Sequence, residues 1–380
     1  MNKPIKIAHL INESGLFLSW VKQMFNREEF ENHFVVINSK GNNSYNESGY
    51  LHCNTTKKGK ESSLKIINEC DIAIHYFLDY TKSELILNSN SNVRHFWYFY
   101  GADIYQQLNV FRRNLYGVET RKWMSFSFKY KYRLELRAIK QLLLQQSRTP
   151  KSNLLKSMQR IEKLLWYIED EIEWINEKVK TPEFNYFKFF TFKDVIPFEK
   201  GNVDVSKKNI LIGNSAAIEN NHLDVLKSFK DNNIIDYQVA LPLTYGNPEK
   251  YKQFVKKKYE LFFGNNFNPQ EKTLPLLEYY SWLDSYPTAI MLHYRQQALG
   301  NLFYLIANGT KVYLSKKNIL LNWFQKNKIE VFCFEEQFVN DYKQNTLTLK
   351  LESQENNYLN LKILLSKESS FLEQIINDFK

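Results

Sequence analysis

The stretch Ile290–Gly309, IMLHYRQQALGNLFYLIANG, holds the residues whose types and order most directly suggest chemistry. An apolar run ends at His293-Tyr294-Arg295-Gln296-Gln297. The chain then passes Gly300 and Asn301 and continues as an apolar, helix-spaced segment that stops at Asn308-Gly309. A strand that delivers a guanidinium and two carboxamides to its carboxyl end, and then feeds a helix, builds an anion site. The helix start adds free backbone N–H groups and the positive end of its dipole. The plainer alternative is a buried strand and helix joined by an ordinary polar loop.

The elements that would position these residues alternate between strand and helix. Ile5–Ile11, His33–Ile37, Asp71–His75 and Val93–Tyr100 read as buried strands, with helical segments after Gly15, at Ser62–Glu69 and from Thr81 to Leu87. Such alternation predicts parallel βαβ units, whose ligands bind at the carboxyl edge of the sheet. Gly15 stands alone, so no dinucleotide fingerprint is present. Val195–Ser206 turns polar and carries Pro197 and Gly201, which places a domain boundary there: 1–200 and 201–380. The second half opens with the strand Asn209–Ile212 and the loop Gly213-Asn214-Ser215, followed by a helix over Asn221–Phe229. Tyr237–Leu243, a helix from Pro248 to Lys258, then Tyr259–Phe263, Leu274–Leu283, Ala289–His293, Leu299–Ala307 and Lys311–Leu314 continue the alternation. Leu361–Phe379 reads as a terminal helix.

The chain has 380 residues and is 43% hydrophobic, enough for two packed domains. Its three cysteines, Cys53, Cys70 and Cys333, are too far apart to suggest a metal site or a disulfide framework, which points to a reducing compartment. The opening apolar run enters a strand at once, so no signal peptide is expected, and no stretch approaches a membrane span. Net charge is +10, and its location is informative. Residues 112–165 carry 14 Lys/Arg and 3 Asp/Glu, interleaved with aromatics and leucines, so this segment accounts for the whole imbalance. It reads as a basic helical insertion. It either packs its apolar side on the domain or meets an anionic membrane surface with aromatics at the acyl boundary. No recognised nucleic-acid motif accompanies the charge, so no nucleic-acid partner is expected.

Four stretches together resemble one family: YGADIY (100–105), ILIGNSAAIENNHLDVL (210–226), VALPLTYGNPEKYKQFV (239–255) and HYRQQALGNLFYLIANG (293–309). They are similar to the bacterial TDP-N-acetylfucosamine:lipid II N-acetylfucosaminyltransferases, the 4-alpha-L-fucosyltransferases of glycosyltransferase family 56, which act in enterobacterial common antigen assembly. The long basic segment would make this chain a divergent member. The resemblance implies a GT-B glycosyltransferase, with two Rossmann-like domains facing across a cleft. The nucleotide-sugar donor, TDP-linked in the family, would sit on the C-terminal domain and a lipid-linked acceptor on the N-terminal one. It also implies a peripheral enzyme on the cytoplasmic face of the inner membrane.

Such transfer must stabilise a departing diphosphate and remove a proton from the acceptor hydroxyl. No DxD pair stands at a credible strand end, so no metal cofactor is expected. Arg295 is the candidate cation, and Gln296, Gln297, Gly300 and Asn301 are candidate donor contacts. Gly213, Asn214 and Ser215 would offer backbone N–H groups to phosphate, and Asn221, with Asn220 and His222 beside it, would add polar contacts or cap a helix. Tyr245 and Gly246 would touch base or sugar, or form a plain turn before Pro248. For the base the candidates are Asp103, His75 and Glu13, in that order. Asp103 also suits a helix N-cap. Two other readings remain: a sugar-nucleotide epimerase of the same fold, and a basic scaffold that binds nucleic acid or membrane through 112–165.

Overall fold

The computed structural model describes residues 3–380 apart from 13–15, 39–42, 47, 48, 113, 127–149, 200, 202 and 247. Its contacts gather into two units. The first takes the described residues of Met1–Val110, Leu136–Phe190 and Glu368–Lys380; the second takes those of Phe111–Glu135 and Thr191–Lys367. The chain crosses between units more than once, so a single cut after residue 200 does not describe it. Helix Phe371–Asp378 shows why. Its apolar face, Phe371, Leu372, Ile375 and Ile376, is buried in the first unit, where Phe371 meets Phe96 and Phe187 edge-on or tilted, with ring centroids 5.3 and 5.0 Å away.

Among the described residues the first unit has one eight-stranded sheet. Its strands are β1 (Ile5–Ile11), β2 (Phe30–Ile37), β3 (Ser44–Tyr45), β4 (Leu51–Cys53), β5 (Ile72–Tyr76), β6 (Arg94–Tyr98), β7 (Ile161–Trp166) and β8 (Glu183–Tyr186). They lie in the order β3-β4-β2-β1-β5-β6-β7-β8, parallel throughout except for the β3–β4 pair. β1 and β5 are almost wholly buried, as expected of parallel strands covered on both faces.

The second unit has six described strands: β9 (Asn209–Ile212), β10 (Gln238–Pro242), β11 (Phe267–Gln270), β12 (Thr288–Met291), β13 (Lys311–Leu314) and β14 (Phe332–Cys333). All pair in parallel, in the order β11-β10-β9-β12-β13-β14. Counted within the unit this is 3-2-1-4-5-6, the doubly wound order of Rossmann folds, and its direction reverses between β9 and β12.

Three expectations change. Tyr259–Phe263 is not a separate element but completes helix Glu249–Phe263, because Tyr251, Val255, Tyr259 and Phe263 form one buried stripe at four-residue spacing. The tail is two helices, Leu351–Ser366 and Phe371–Asp378. The segment 112–165 is not one helical insertion. Residues 113 and 127–149 lie outside the described residues. Of the rest, helix Val118–Phe126 packs against helix His222–Asp231 in the second unit, and helix Pro150–Met158 packs against helix Tyr80–Asn88 in the first. Ile161–Leu165 belongs to β7, bonded on both sides, because its Leu164 and Leu165 are apolar core residues.

Candidate functional site

The reversal between β9 and β12 brings two strand ends side by side, and the residues just beyond them interlock. Gly213, following β9, donates its N–H to the Ile290 carbonyl at 2.9 Å. Its φ is +70°, and a Cβ there would lie 2.5 Å from Asn220 Oδ1, so the position takes only glycine. Asn214 N–H donates to Asn220 Oδ1 at 2.8 Å, and Asn220 Nδ2 donates to Ser215 Oγ and the Ala217 carbonyl, both at 3.1 Å. From the β12 side, His293 Nε2 lies 3.0 Å from Asn214 Oδ1 and 2.9 Å from Asn220 Oδ1. Gln297 Nε2 reaches Asn214 Oδ1 at 3.2 Å. From the loop after β10, Tyr245 accepts Asn214 Nδ2 on its phenol oxygen at 2.9 Å, and its carbonyl accepts the Ala216 N–H at 2.7 Å.

Arg295 and Gln296 lie in the same loop and are both buried, and Arg295 Nη1 donates to the Gln296 carbonyl at 2.7 Å. Helix Leu299–Asn308 begins just beyond them, with Ala298 in the left-handed region at φ +59°. Burial drives His293 well below the usual imidazole range, with the charges of Arg295 and His222 adding to the effect. Burial also lowers His222, to about 3. Both rings are therefore neutral across physiological pH. The atoms His293 Nδ1, Gln296 Oε1, Gln297 Oε1 and both ring nitrogens of His222 are buried and have no hydrogen-bond partner among the described residues. A buried polar atom left unpaired costs about 1–3 kcal/mol. Such a cluster at the switch point of a doubly wound sheet makes this the candidate ligand site.

The structure thus gathers Gly213, Asn214, Ser215, Tyr245, Arg295, Gln296 and Gln297. Gly300 is exposed on the following helix, and Asn301 is held to the Tyr279 phenol at 2.9 Å. Asn221 is corrected. Its amide is saturated by protein, accepting the Gly117 N–H at 2.8 Å and donating to the carbonyls of Leu292 (2.9 Å), Leu115 and Glu219 (both 3.2 Å). It sits in the left-handed region at φ +52°, a conformation asparagine tolerates well, and clamps the 115–117 segment to the end of β12.

In the first unit, Asp103 follows β6 and is fully buried. Its carboxylate accepts the Trp97 indole N–H at 2.8 Å, the Tyr100 N–H at 3.2 Å and the Leu78 N–H at 3.4 Å. Burial pushes it up to about 7 against those bonds. It does not cap its helix, Ala102–Tyr105, whose N-cap is Gly101; instead it ties the loop after β6 to the loop after β5. His75 is fully buried and meets His95 Nδ1 at 3.0 Å, and His95 in turn meets Ser89 Oγ at 2.8 Å. Glu13 lies outside the described residues.

Sequence reasoning missed Lys82. It is fully buried, and its ammonium donates to Asn12 Oδ1 and to the carbonyls of Tyr76 and Phe77. Those partners lie at the carboxyl ends of β1 and β5, where the first sheet reverses direction. Burial lowers Lys82 to about 8, while Asp79 and Asp103 pull it back up. Nothing in YTKSELIL marks this lysine as buried, because its partners, two backbone carbonyls and the Asn12 side chain, are brought together only by the fold. Among the described residues no group of three or more His, Cys, Asp or Glu could hold a metal ion, and no helix is long and apolar enough to cross a membrane.

A family model described as 4-alpha-L-fucosyltransferase, glycosyl transferase group 56, matches residues 143–359. Among solved structures, sucrose-phosphate synthase from Thermosynechococcus elongatus is similar at 9% identity and a TM-score of 0.63, over 98% of this chain and 97% of that one. The HepE protein of Anabaena, in complex with UDP, is similar at 6% identity and a TM-score of 0.58, over 99% of each chain. A trehalose-6-phosphate protein from E. coli, bound with UDP-2-fluoro glucose, is similar at 9% identity and a TM-score of 0.56, over 98% of each. At these identities the likeness concerns the fold, which is GT-B.

Proposed function

This chain belongs to the 4-alpha-L-fucosyltransferase family, glycosyl transferase group 56, and on that premise we propose that it moves a deoxy- or N-acetylamino sugar from a nucleoside diphosphate to a lipid-linked or glycan acceptor. That it is a glycosyltransferase follows from the family. The observation that carries the finer reading is the cluster of unpaired buried polar atoms around Arg295 at the β9/β12 switch point. The Anabaena and E. coli proteins of like fold hold UDP and UDP-2-fluoro glucose. We place the nucleotide of the donor in the second unit, with thymidine diphosphate as the first candidate because the family resemblance points to it.

The leaving group needs its growing negative charge balanced. Arg295 supplies a permanent cation, and the start of helix Leu299–Asn308 supplies N–H groups and a dipole, so the transfer requires no metal. The acceptor hydroxyl must also lose a proton. Asp103 titrates in a suitable range, but its oxygens are taken by N–H donors and it has no exposed surface. We therefore assign Asp103 to shaping the loop rather than to the base.

The basic segment 112–165 supports attachment to an anionic membrane on the cytoplasmic face. Helix Val118–Phe126 exposes Arg121 and Lys122 next to Phe126, which is 85% exposed, a pairing that suits a head-group boundary. Binding to phosphatidylglycerol vesicles that fades at high salt and is lacking with phosphatidylcholine is the expected result. Equal binding to both lipids would count against this attachment.

The experiment for the donor site is a thermal-shift series with TDP, UDP and GDP. One of them at a hundredfold excess over its Kd should stabilise the protein by about 2.7 kcal/mol. No shift with any of the three would overturn the reading.

A further inference from the structure

We propose that Asn220 is a positioning residue that sets the hydrogen-bond polarity of the switch-point site, so that the buried end of the site receives a ligand group that donates hydrogen bonds. This rests on the donor site argued above.

The reasoning starts from two backbone groups that have no choice of role. The Asn214 N–H can only donate, and it points at Asn220 Oδ1 from 2.8 Å. The Ala217 carbonyl can only accept, and it faces Asn220 Nδ2 at 3.1 Å. Together they fix which end of the Asn220 amide is oxygen. His293 Nε2, 2.9 Å from that oxygen, must then carry a proton, and in a neutral ring Nδ1 must carry a lone pair. The Asn214 atom 3.0 Å from the same Nε2–H must in turn be oxygen. The Gln297 atom 3.2 Å from Asn214 Oδ1 must be the amide nitrogen, which turns Gln297 Oε1 the other way.

Two backbone groups thus fix four side chains in sequence: Asn220, His293, Asn214 and Gln297. What they leave unpaired are His293 Nδ1 and Gln297 Oε1, both acceptors and both buried. A phosphate oxygen placed against them would meet lone pair with lone pair. The diphosphate therefore belongs beside Arg295, and each of these acceptors fits a donating group: a hydroxyl or amide N–H of the sugar, or the imide N–H of a pyrimidine base. Tyr245, 60% exposed, receives the Asn214 amide on its oxygen and keeps its phenol proton for the ligand at the rim.

The first measurement needs no ligand, and a variant only to assign the signal. In protein labelled with ¹⁵N-histidine, the signal lost in His293→Gln reports the tautomer, and Nε2–H with a bare Nδ1 at pH 7 is the expected result. An Nδ1–H tautomer overturns the proposal. The second uses Asn220→Asp, which puts a carboxylate against Nε2–H. The other titratable or charged groups acting on this ring are Arg295, from its own loop, and His222, from helix His222–Asp231.

In this variant the ring should take up a second proton at lower pH and turn Nδ1 into a donor. Affinity should then fall tenfold or more on the acid side and recover as pH rises, while wild type stays flat. A loss seen with TDP itself places the donating group on the nucleoside; a loss seen only with the TDP-sugar places it on the transferred sugar. A loss equal at every pH shows a merely structural role and overturns the proposal. If no nucleotide binds wild type, the donor-site reading fails, yet the tautomer result still stands or falls by itself.

Discussion

Asn221→Ala separates a structural clamp from a ligand contact. The side chain holds the Gly117 N–H at 2.8 Å and the Leu292 carbonyl at 2.9 Å, both buried, and shares its second amide hydrogen between Leu115 and Glu219. Alanine orphans at least the first two groups, at about 1–3 kcal/mol each. It also removes the short polar side chain that lets asparagine tolerate φ +52°, which adds about 1 kcal/mol. The expected loss is therefore about 3–7 kcal/mol, a large share of a typical domain's stability. Asn221→Gly relieves the backbone but not the hydrogen bonds, so it should recover only about 1 kcal/mol of that. Urea unfolding followed by tryptophan fluorescence measures both. An unchanged urea midpoint together with weakened nucleotide binding would refute the clamp and return Asn221 to the ligand.

Three further outcomes follow from the geometry. Arg295→Ala should raise the Kd for nucleoside diphosphate about 10–100-fold, the worth of a charge-assisted hydrogen bond, with Arg295→Lys in between; calorimetric titration reads it, and equal affinities would remove Arg295 from the site. Gly213→Ala forces a β-carbon to within 2.5 Å of Asn220 Oδ1, so it should lower thermal stability by about 1–3 kcal/mol and weaken nucleotide binding together. Asp103 has its carboxyl at about 7 in the folded chain against an ordinary 3.8, so between those values the folded form keeps a proton that the unfolded form has released. Its contribution to stability falls as pH rises through that window, by roughly 4 kcal/mol, and is constant above it. Asp103→Asn should remove this slope in urea midpoints taken from pH 4.5 to 7, and parallel curves for the two proteins would disprove it.

Much of the fold can be read from the chain because the information is local. IKIAHLI, IAIHY and NILI are short apolar runs that can only be buried strands, and they appear within a residue or so of their expected bounds. The polar turn at Arg295 and the glycine at 213 likewise announced a strand-end loop. What stayed hidden depends on distant partners. Asn221 and Asn220 are neighbours of one residue type, yet one is consumed by Gly117 and Leu292 and the other faces His293. Asp103 looked like an accessible carboxylate because its partners Trp97 and Leu78 close over it only in three dimensions. Lys82 was invisible for the same reason. Within the basic run 112–165, Glu162 and Lys163 hide the first half of a core strand, whose apolar end from Leu164 is legible.

The docking of Phe371–Asp378 on the first sheet has a consequence for biosynthesis. This helix contributes Phe371 to the ring cluster at Phe96 and Phe187, and it binds Arg94 through Asp378 and Arg27 through Glu373. Yet it is translated after every strand of the second unit. While the ribosome is still making the second unit, the first sheet must wait with that apolar patch uncovered, and it becomes complete only after its younger neighbour has emerged. Domains usually finish in the order in which they are synthesised. Here the older one finishes last, so a nascent chain stalled before residue 371 should present a first unit that chaperones and proteases can still grip.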